Sequence, residues 1–338
     1  MGGEEFRVLR WEFLVRACEP IAHHSGSFGN QAIVMREEVC LPDGQFAEVP
    51  YITGDTIRHG IREASAIALL DAAGMLDNPC LSESALRLLF AGGMITGKAA
   101  QSSINLDTYR LMCELMPSLK LLGGCADNRM IPGTLTVSSG KLVCEENMQL
   151  FREAHPWVEE WMEKNGFTAS TAAEYVTEET RVRMDPMLIP ERRNLLSSAE
   201  QVAVNNRMAL SERAHTEGDD ASALAAKSTM MPRTCEVIKR GSVFHFYVEA
   251  RTYSALDRDT FAVMVASFIS NMRVGGKRGT GHGLMTPLVA RDVEIVRPSH
   301  QSKALALPGS AAEVGKLFRE HVARRAVELM DMLSKVAA

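Results

Sequence analysis

Residues 235–296 read CEVIKRGSVFHFYVEARTYSALDRDTFAVMVASFISNMRVGGKRGTGHGLMTPLVARDVEIV. Around Arg240 and Gly241 two stretches alternate, with Phe244, Phe246 and Val248 on one side, the period of two that marks strands. The period then changes: in DRDTFAVMVASFISNM (257–272) Phe261, Val265, Phe268 and Met272 recur at helical spacing behind an Asp cap. RVGGKRGTGHG (273–283) follows as a loop, and LMTPLVARDVEIV (284–296) as another strand.

Upstream, the same grammar is repeated. Leu9, Trp11, Phe13, Val15 and Ala17 alternate with Arg10, Glu12, Leu14 and Arg16, a strand with one buried face. A polar loop, HHSGSFGNQ (23–31), comes next, and VPYITGDTIRHGIREASAIALL (49–70) runs from an extended piece into a helix. Ile57, Ile61, Ala64 and Ala68 form its apolar stripe, with Thr53, Asp55 or Thr56 as the cap. Further helices are predicted over Ser82–Ala91, 107–116 and about 311–336, and TLTVSSGKLVCE (134–145) reads as a hairpin turning at Ser139 and Gly140.

With insertions set aside, the order is strand, helix, two strands, helix, strand. That is an α+β chain with a ferredoxin-like, modified RNA-recognition (βαββαβ) core. Residues 1–146 plus 234–338 are assigned to this core and 147–212 to an acidic helical insertion, in which Trp157 and Trp161 pack. The polar, aperiodic stretch 213–233 is assigned to a mobile segment carrying Arg213, Lys227, Met230, Met231 and Arg233.

The 338 residues are 46% hydrophobic and 23% charged, which excludes collagen-like and wholly disordered chains. No run approaches the roughly 18 apolar residues of a membrane span, and the charged start is unlike a signal peptide, so a cytoplasmic protein with no membrane association is expected. Seven scattered cysteines without a CxxC pair argue against a disulfide framework and a zinc ribbon. The formal charge of −5 conceals polarity: residues 145–220 hold 16 acidic against 8 basic side chains, and 221–338 hold 17 basic against 10 acidic. Locally converging cations can still hold a phosphate, because screening over about 8 Å removes distant carboxylates from account.

Two segments carry phosphate-binding chemistry. In the glycine loop Gly275, Gly276, Gly279, Gly281 and Gly283 let successive amides approach an anion, while Arg273, Lys277, Arg278, Thr280 and His282 supply charge and donors. At the helix start, Thr53, Gly54 and Asp55 precede Arg58 and Arg62, one turn apart. The loop is no Walker A motif, since His282 and Gly283 stand where Lys and Ser or Thr would, and no dinucleotide fingerprint, since the helix precedes the glycines. His23, His24, His59 and His282 lack nearby carboxylates to orient them, so neither a metal nor a cofactor is expected; Ser25 and its neighbours lack a nucleophile elbow.

VPYITGDTIRHGIREA (49–64) resembles the "PYIPGSSLKGKLR" signature of the RAMP superfamily, the repeat-associated proteins of class 1 CRISPR effector complexes. GGKRGTGHG (275–283) is similar to that superfamily's glycine-rich loop, and AHHSGSFGN (22–30), LLGG (121–124) and GKLVCEE (140–146) follow in the matching order. Within the superfamily the layout resembles the backbone subunit, most like that of the type IV systems.

The resemblance implies a hand-like fold of palm, fingers and thumb that grips guide (CRISPR) RNA, polymerises along the spacer as a helical filament and presents bases to a target nucleic acid, with target DNA expected over RNA. It implies further copies of the chain and other effector subunits as partners, in antiviral defence and plasmid interference. The helix start (Thr53, Gly54, Asp55, Arg58, with Arg62) and the glycine loop would line the RNA groove, with His23, His24 and Ser25 beside it. Residues 213–233 would be the thumb. Type III backbone subunits cut target RNA with an aspartate in the loop after the first strand, and 23–31 contains no acid, so no enzyme is expected. Asp43 lies farther on, and an RNA endonuclease or a solitary RNA-binding module are the competing readings.

Overall fold

The computed structural model describes residues 6–28, 31–77, 81–94, 106–126, 129–181, 191, 194–206, 233–296, 299–304 and 314–335. The chain divides into two compact units. The larger comprises residues 1–23, 35–176 and 238–338, and the smaller 24–34 and 177–237.

In order, the strands are β1 (Arg7–Ala17), β2 (His24–Phe28), β3 (Gln31–Val34), β4 (Arg36–Cys40), β5 (Phe46–Ile52), β6 (Gly124–Ala126), β7 (Arg129–Ile131), β8 (Leu135–Val137), β9 (Gly140–Leu142), β10 (Val176–Arg181), β11 (Arg233–Ile238), β12 (Val243–Thr252), β13 (Met285–Val296) and β14 (Ser299–Ala304). The helices named below are α1 (Gly54–Ala72), α2 (Glu83–Ala91), α3 (Leu106–Leu115), α4 (Pro117–Leu122), α5 (Met148–Ala154), α6 (Trp157–Asn165), α7 (Ala255–Ser270), α8 (Lys316–Arg324) and α9 (Ala326–Lys335).

The central sheet runs β14-β13-β1-β12-β9-β5-β4, with β8 also on β12. β1 lies between β12 and β13, antiparallel to both. Taking β1, β8–β9, β12 and β13 as the four core strands, with α1 and α7 between them in sequence, the spatial order is fourth, first, third, second. This is the ferredoxin-like βαββαβ core.

The first face of the sheet is built as the alternation requires. Phe13 stacks on Phe246 at 5.1 Å, and Trp11 meets Phe261 of α7 edge-on at 5.0 Å. Aromatic pairs in these geometries add about 0.5–1.5 kcal/mol beyond their burial. The second face departs from the expectation of one buried side. Glu12 and Leu14 are buried too, because α5 and α6 lay Phe151, Val158 and Met162 over Leu14, Val143 and Val243, with Trp157 and Trp161 at the edge. Glu12, His155 and His245 stand together in this layer. Burial pushes the His245 imidazole down to about 4; burial would raise the Glu12 carboxyl, but the two imidazoles outweigh it and hold it far below the usual carboxylate range.

Three local expectations are corrected. TLTVSSGKLVCE is not a hairpin: β8 and β9 both lie antiparallel on β12, as one interrupted strand. Ser138 bridges the break, its amide donating to Tyr247 O at 3.0 Å and its hydroxyl accepting the Tyr247 N–H at 2.8 Å. The α7 cap is Ser254, not an aspartate; Asp257 closes the capping box by accepting the Ser254 N–H at 3.2 Å, and Lys120 pairs with it at 2.8 Å. The C-terminal helical run breaks at Arg325 into α8 and α9, and residues 311–313 lie outside the described set.

β11, read with β12 as one of a strand pair, belongs to a separate sheet in the order β10-β11-β3-β2. Its pairing with β3 is parallel, Thr234 opposite Gln31 and Cys235 opposite Ala32. Arg233 opens β11, whereas Arg213, Lys227, Met230 and Met231 lie outside the described residues. No helix among the described residues is long and apolar enough to cross a membrane.

Candidate nucleic-acid interface

Residues 20–23, just past the end of β1, hold two of the candidate segments together. On one side Thr53 caps α1, its hydroxyl accepting the Thr56 N–H at 3.3 Å, while its own amide donates to His23 Nε2 at 3.2 Å. His23 is therefore a buried acceptor fixing the helix start. On the other side the Gly276 amide donates to Ala22 O at 2.7 Å and the Gly283 amide to Pro20 O at 2.9 Å. Glycine loop, strand end and helix start thus form one continuous hydrogen-bonded structure within the larger unit.

The loop's glycines divide by what surrounds them. Gly275 has φ +74°, and a Cβ there would stand 2.6 Å from Ala22 O, so this position is required by the fold. Gly279 has an ordinary φ and nothing within 4 Å of where a Cβ would be, so the fold places no demand on it. Lys277, exposed, takes the left-handed conformation at φ 57°, and Thr280 closes a 3₁₀ turn on its carbonyl at 2.9 Å. His282 is buried, with Nδ1 3.1 Å from Thr280 O.

The cations are differently placed. Arg273 pairs with Glu19 at 2.8 Å, and Arg278 with Glu63 at 2.8 Å; Glu63 also lies 3.3 Å from His59. These pairs tie the loop to the segment just after β1 and to α1. Beside them a cleft of about 620 Å³ runs between α1 and α7, with Gly60, Glu63, Phe268, Arg273 and Arg278 on its wall.

Arg58 and Arg62 are engaged by the chain itself. Arg58 donates to Leu135 O at 2.7 Å and Leu122 O at 2.5 Å, and Arg62 to Gly123 O at 3.0 Å. Burial lowers both guanidiniums, Arg62 to about 10 with Arg58 adding to the fall; an arginine keeps its charge at neutral pH. What they add at the helix start is charge more than open N–H groups. Gly54 opens α1, and Asp55 is exposed in its first turn. Asp55 already answers the helix dipole.

His24 and Ser25 begin β2 in the smaller unit, where His24 Nε2 lies 2.8 Å from Glu236 O and the Ser25 hydroxyl donates to Ile33 O at 3.5 Å. Sequence reasoning has no means of finding Glu19, Glu63 or the carbonyls of Leu122, Gly123 and Leu135. Their partners are distant in the chain, and a carbonyl has no residue type. Asp43 stands in an exposed turn, accepting the Gln45 N–H at 3.0 Å.

No family model matches this chain, and no curated protein matches it. Among solved structures, a chain of one titled "Type IV-B CRISPR Complex" is similar over 89% of this chain and 93% of that chain, with 15% sequence identity and a TM-score of 0.48. At that identity and score the likeness carries no argument about function.

Proposed function

We propose that this protein is a guide-RNA-binding backbone subunit of a class 1 CRISPR effector complex, most like those of type IV. The observation that carries the reading is the hydrogen-bonded union of glycine loop, strand end and α1 start around Ala22 and His23. It ties the loop that carries Arg273, Lys277 and Arg278 to α1, which carries Arg58 and Arg62, with Arg273 paired to Glu19 and Arg278 to Glu63. The signature-like helix and glycine loop, whose resemblance suggests the role, are the elements so joined.

In this role each copy neutralises a few guide phosphates and leaves the bases to pair with a target, DNA in our reading. Specificity then resides in base pairing, and the protein needs no base-reading side chains. Copies stack along the guide, with other effector subunits at the ends. The chain is non-catalytic in this proposal: residues 23–31 contain no acid, Glu19, the acid that follows β1, is paired with Arg273, and Asp43 accepts the Gln45 N–H of its own turn.

The test is assembly on guide RNA. Co-expression with a CRISPR array is expected to yield a filament by electron microscopy, with a footprint that grows as copies are added. A footprint of fixed size would establish a solitary RNA-binding module instead, and regular magnesium-dependent cuts in complementary RNA would establish an endonuclease.

A further inference from the structure

Under α5 and α6, three polar side chains from distant segments meet inside the apolar layer on the second face of the sheet. Glu12 comes from β1, His245 from β12, and His155 from the turn that ends α5. Glu12 is 5% exposed and His245 2%. His155 Nδ1 lies 3.7 Å and His245 Nε2 3.9 Å from the same oxygen, Glu12 Oε2, and the two imidazole centroids are 4.0 Å apart. The donor atoms all lie within 4.8 Å of one another.

Neither separation from Glu12 is a hydrogen bond. His245 Nε2, buried, has no hydrogen-bond partner among the described residues. A buried ring nitrogen is thus directed at a buried carboxylate across a gap too wide for a proton and of the width a cation fills. Zinc takes histidine nitrogen at about 2.0–2.1 Å and carboxylate oxygen at about 2.0–2.2 Å, which puts tetrahedral ligand atoms roughly 3.3 Å apart. To reach that spacing the first gap closes by about 0.4 Å and the second by about 0.6 Å.

The surroundings are those of a ligand set. The Trp157 indole N–H donates to Glu12 Oε2 at 2.9 Å, an outer hydrogen bond of the kind that fixes a ligating carboxylate. Phe151 and Trp157 set ring edges against His245 at 5.9 and 5.7 Å, holding the imidazole's position. His155 is the more exposed of the two histidines, at 14% of its side chain, and gives an ion its way in.

We propose that Glu12, His155 and His245 are the protein ligands of a divalent transition-metal site that takes Zn²⁺ and fastens the helical insertion to the central sheet. Two imidazoles and one carboxylate are a borderline set suited to zinc and poor for magnesium or calcium. The fourth position falls to water or to the second Glu12 oxygen. The sequence points to no metal, because spacing singles out only His23, His24, His59 and His282, and the three segments that meet here lie far apart along the chain.

The test uses tag-free, full-length protein stripped with a chelator and titrated with Co²⁺ and then Zn²⁺. One equivalent of Co²⁺ is expected to bind with visible d–d bands, to be displaced by Zn²⁺, and Zn²⁺ at a hundred times Kd to raise Tm by about 4 °C. His155→Ala and His245→Gln should abolish the bands, Trp157→Phe should weaken binding about 10- to 100-fold, and His59→Ala, on exposed α1 surface, should change nothing. Failure of the native protein to take up either ion, or uptake that survives both His155→Ala and Glu12→Gln, overturns the proposal. The native titration decides even where a variant fails to fold.

Discussion

The Thr53 amide donates to His23 Nε2 across 3.2 Å, so the cap of α1 is bound to the segment that joins β1 to β2. His23→Ala removes the acceptor from a part-buried N–H, a loss of about 1–3 kcal/mol. Denaturant melts should show this as a lower midpoint at unchanged slope. His23→Gln, whose amide oxygen can accept, should recover part of it.

Gly275 and Gly279 separate folding from binding. Gly275→Ala forces a Cβ to 2.6 Å from Ala22 O at a left-handed φ and should destabilise by about 1–3 kcal/mol. Gly279→Ala meets nothing and should leave stability within about 0.5 kcal/mol of the parent. If RNA comes within contact of this loop, the second variant lowers affinity while melting normally; unchanged affinity would move the phosphate path elsewhere.

Lys277→Ala should keep the fold and lessen the salt dependence of RNA binding. Each phosphate held on a single strand contributes a slope of about −0.7 in log K against log[salt], so releasing one phosphate should flatten the plot by one such increment. An unaltered slope in filter binding would remove Lys277 from the interface.

Arg58 spans two carbonyls, Leu135 O and Leu122 O. Arg58→Ala should cost about 1.5–3 kcal/mol, since it deletes charged hydrogen bonds to partly buried acceptors. Arg58→Lys should not restore it, because a single ammonium lacks the fork that reaches both oxygens. Thermal denaturation of both variants reads this directly.

Cys144 and Cys40 should differ widely toward alkylation. Burial pushes the Cys144 thiol up to about 12, whereas Cys40 is exposed. Mass spectrometry after brief iodoacetamide treatment is expected to find Cys40 labelled and Cys144 labelled only once the protein is unfolded.

Strong periods make β1, α1, α7 and the two core strands β12 and β13 legible in the amino-acid sequence alone. Periodicity reports which side of an element is apolar, but not what else lies against it. Glu12 therefore reads as a solvent-facing residue, though α5 and α6 bury it. TLTVSSGKLVCE misleads for a related reason, since Ser-Ser-Gly can turn a chain or merely interrupt one strand, and only β12 decides between them. At the candidate interface the glycine loop and the α1 cap are visible as residue types. The orientation of Arg58 and Arg62 is not, because their acceptors are peptide groups of α4, of β8 and of Gly123.

The layer of Phe151, Val158 and Met162 over Leu14 and Val243 has a consequence for how a polynucleotide could meet this fold. Ordinary RNA-recognition domains stack two or three bases on aromatic rings of an open sheet. Here the part of that platform around Leu14, Val143 and Val243 is already roofed by the protein's own side chains. In the role proposed above, the guide is therefore expected along the rim of the elements, held by its sugar–phosphate side with its coding edges turned outward.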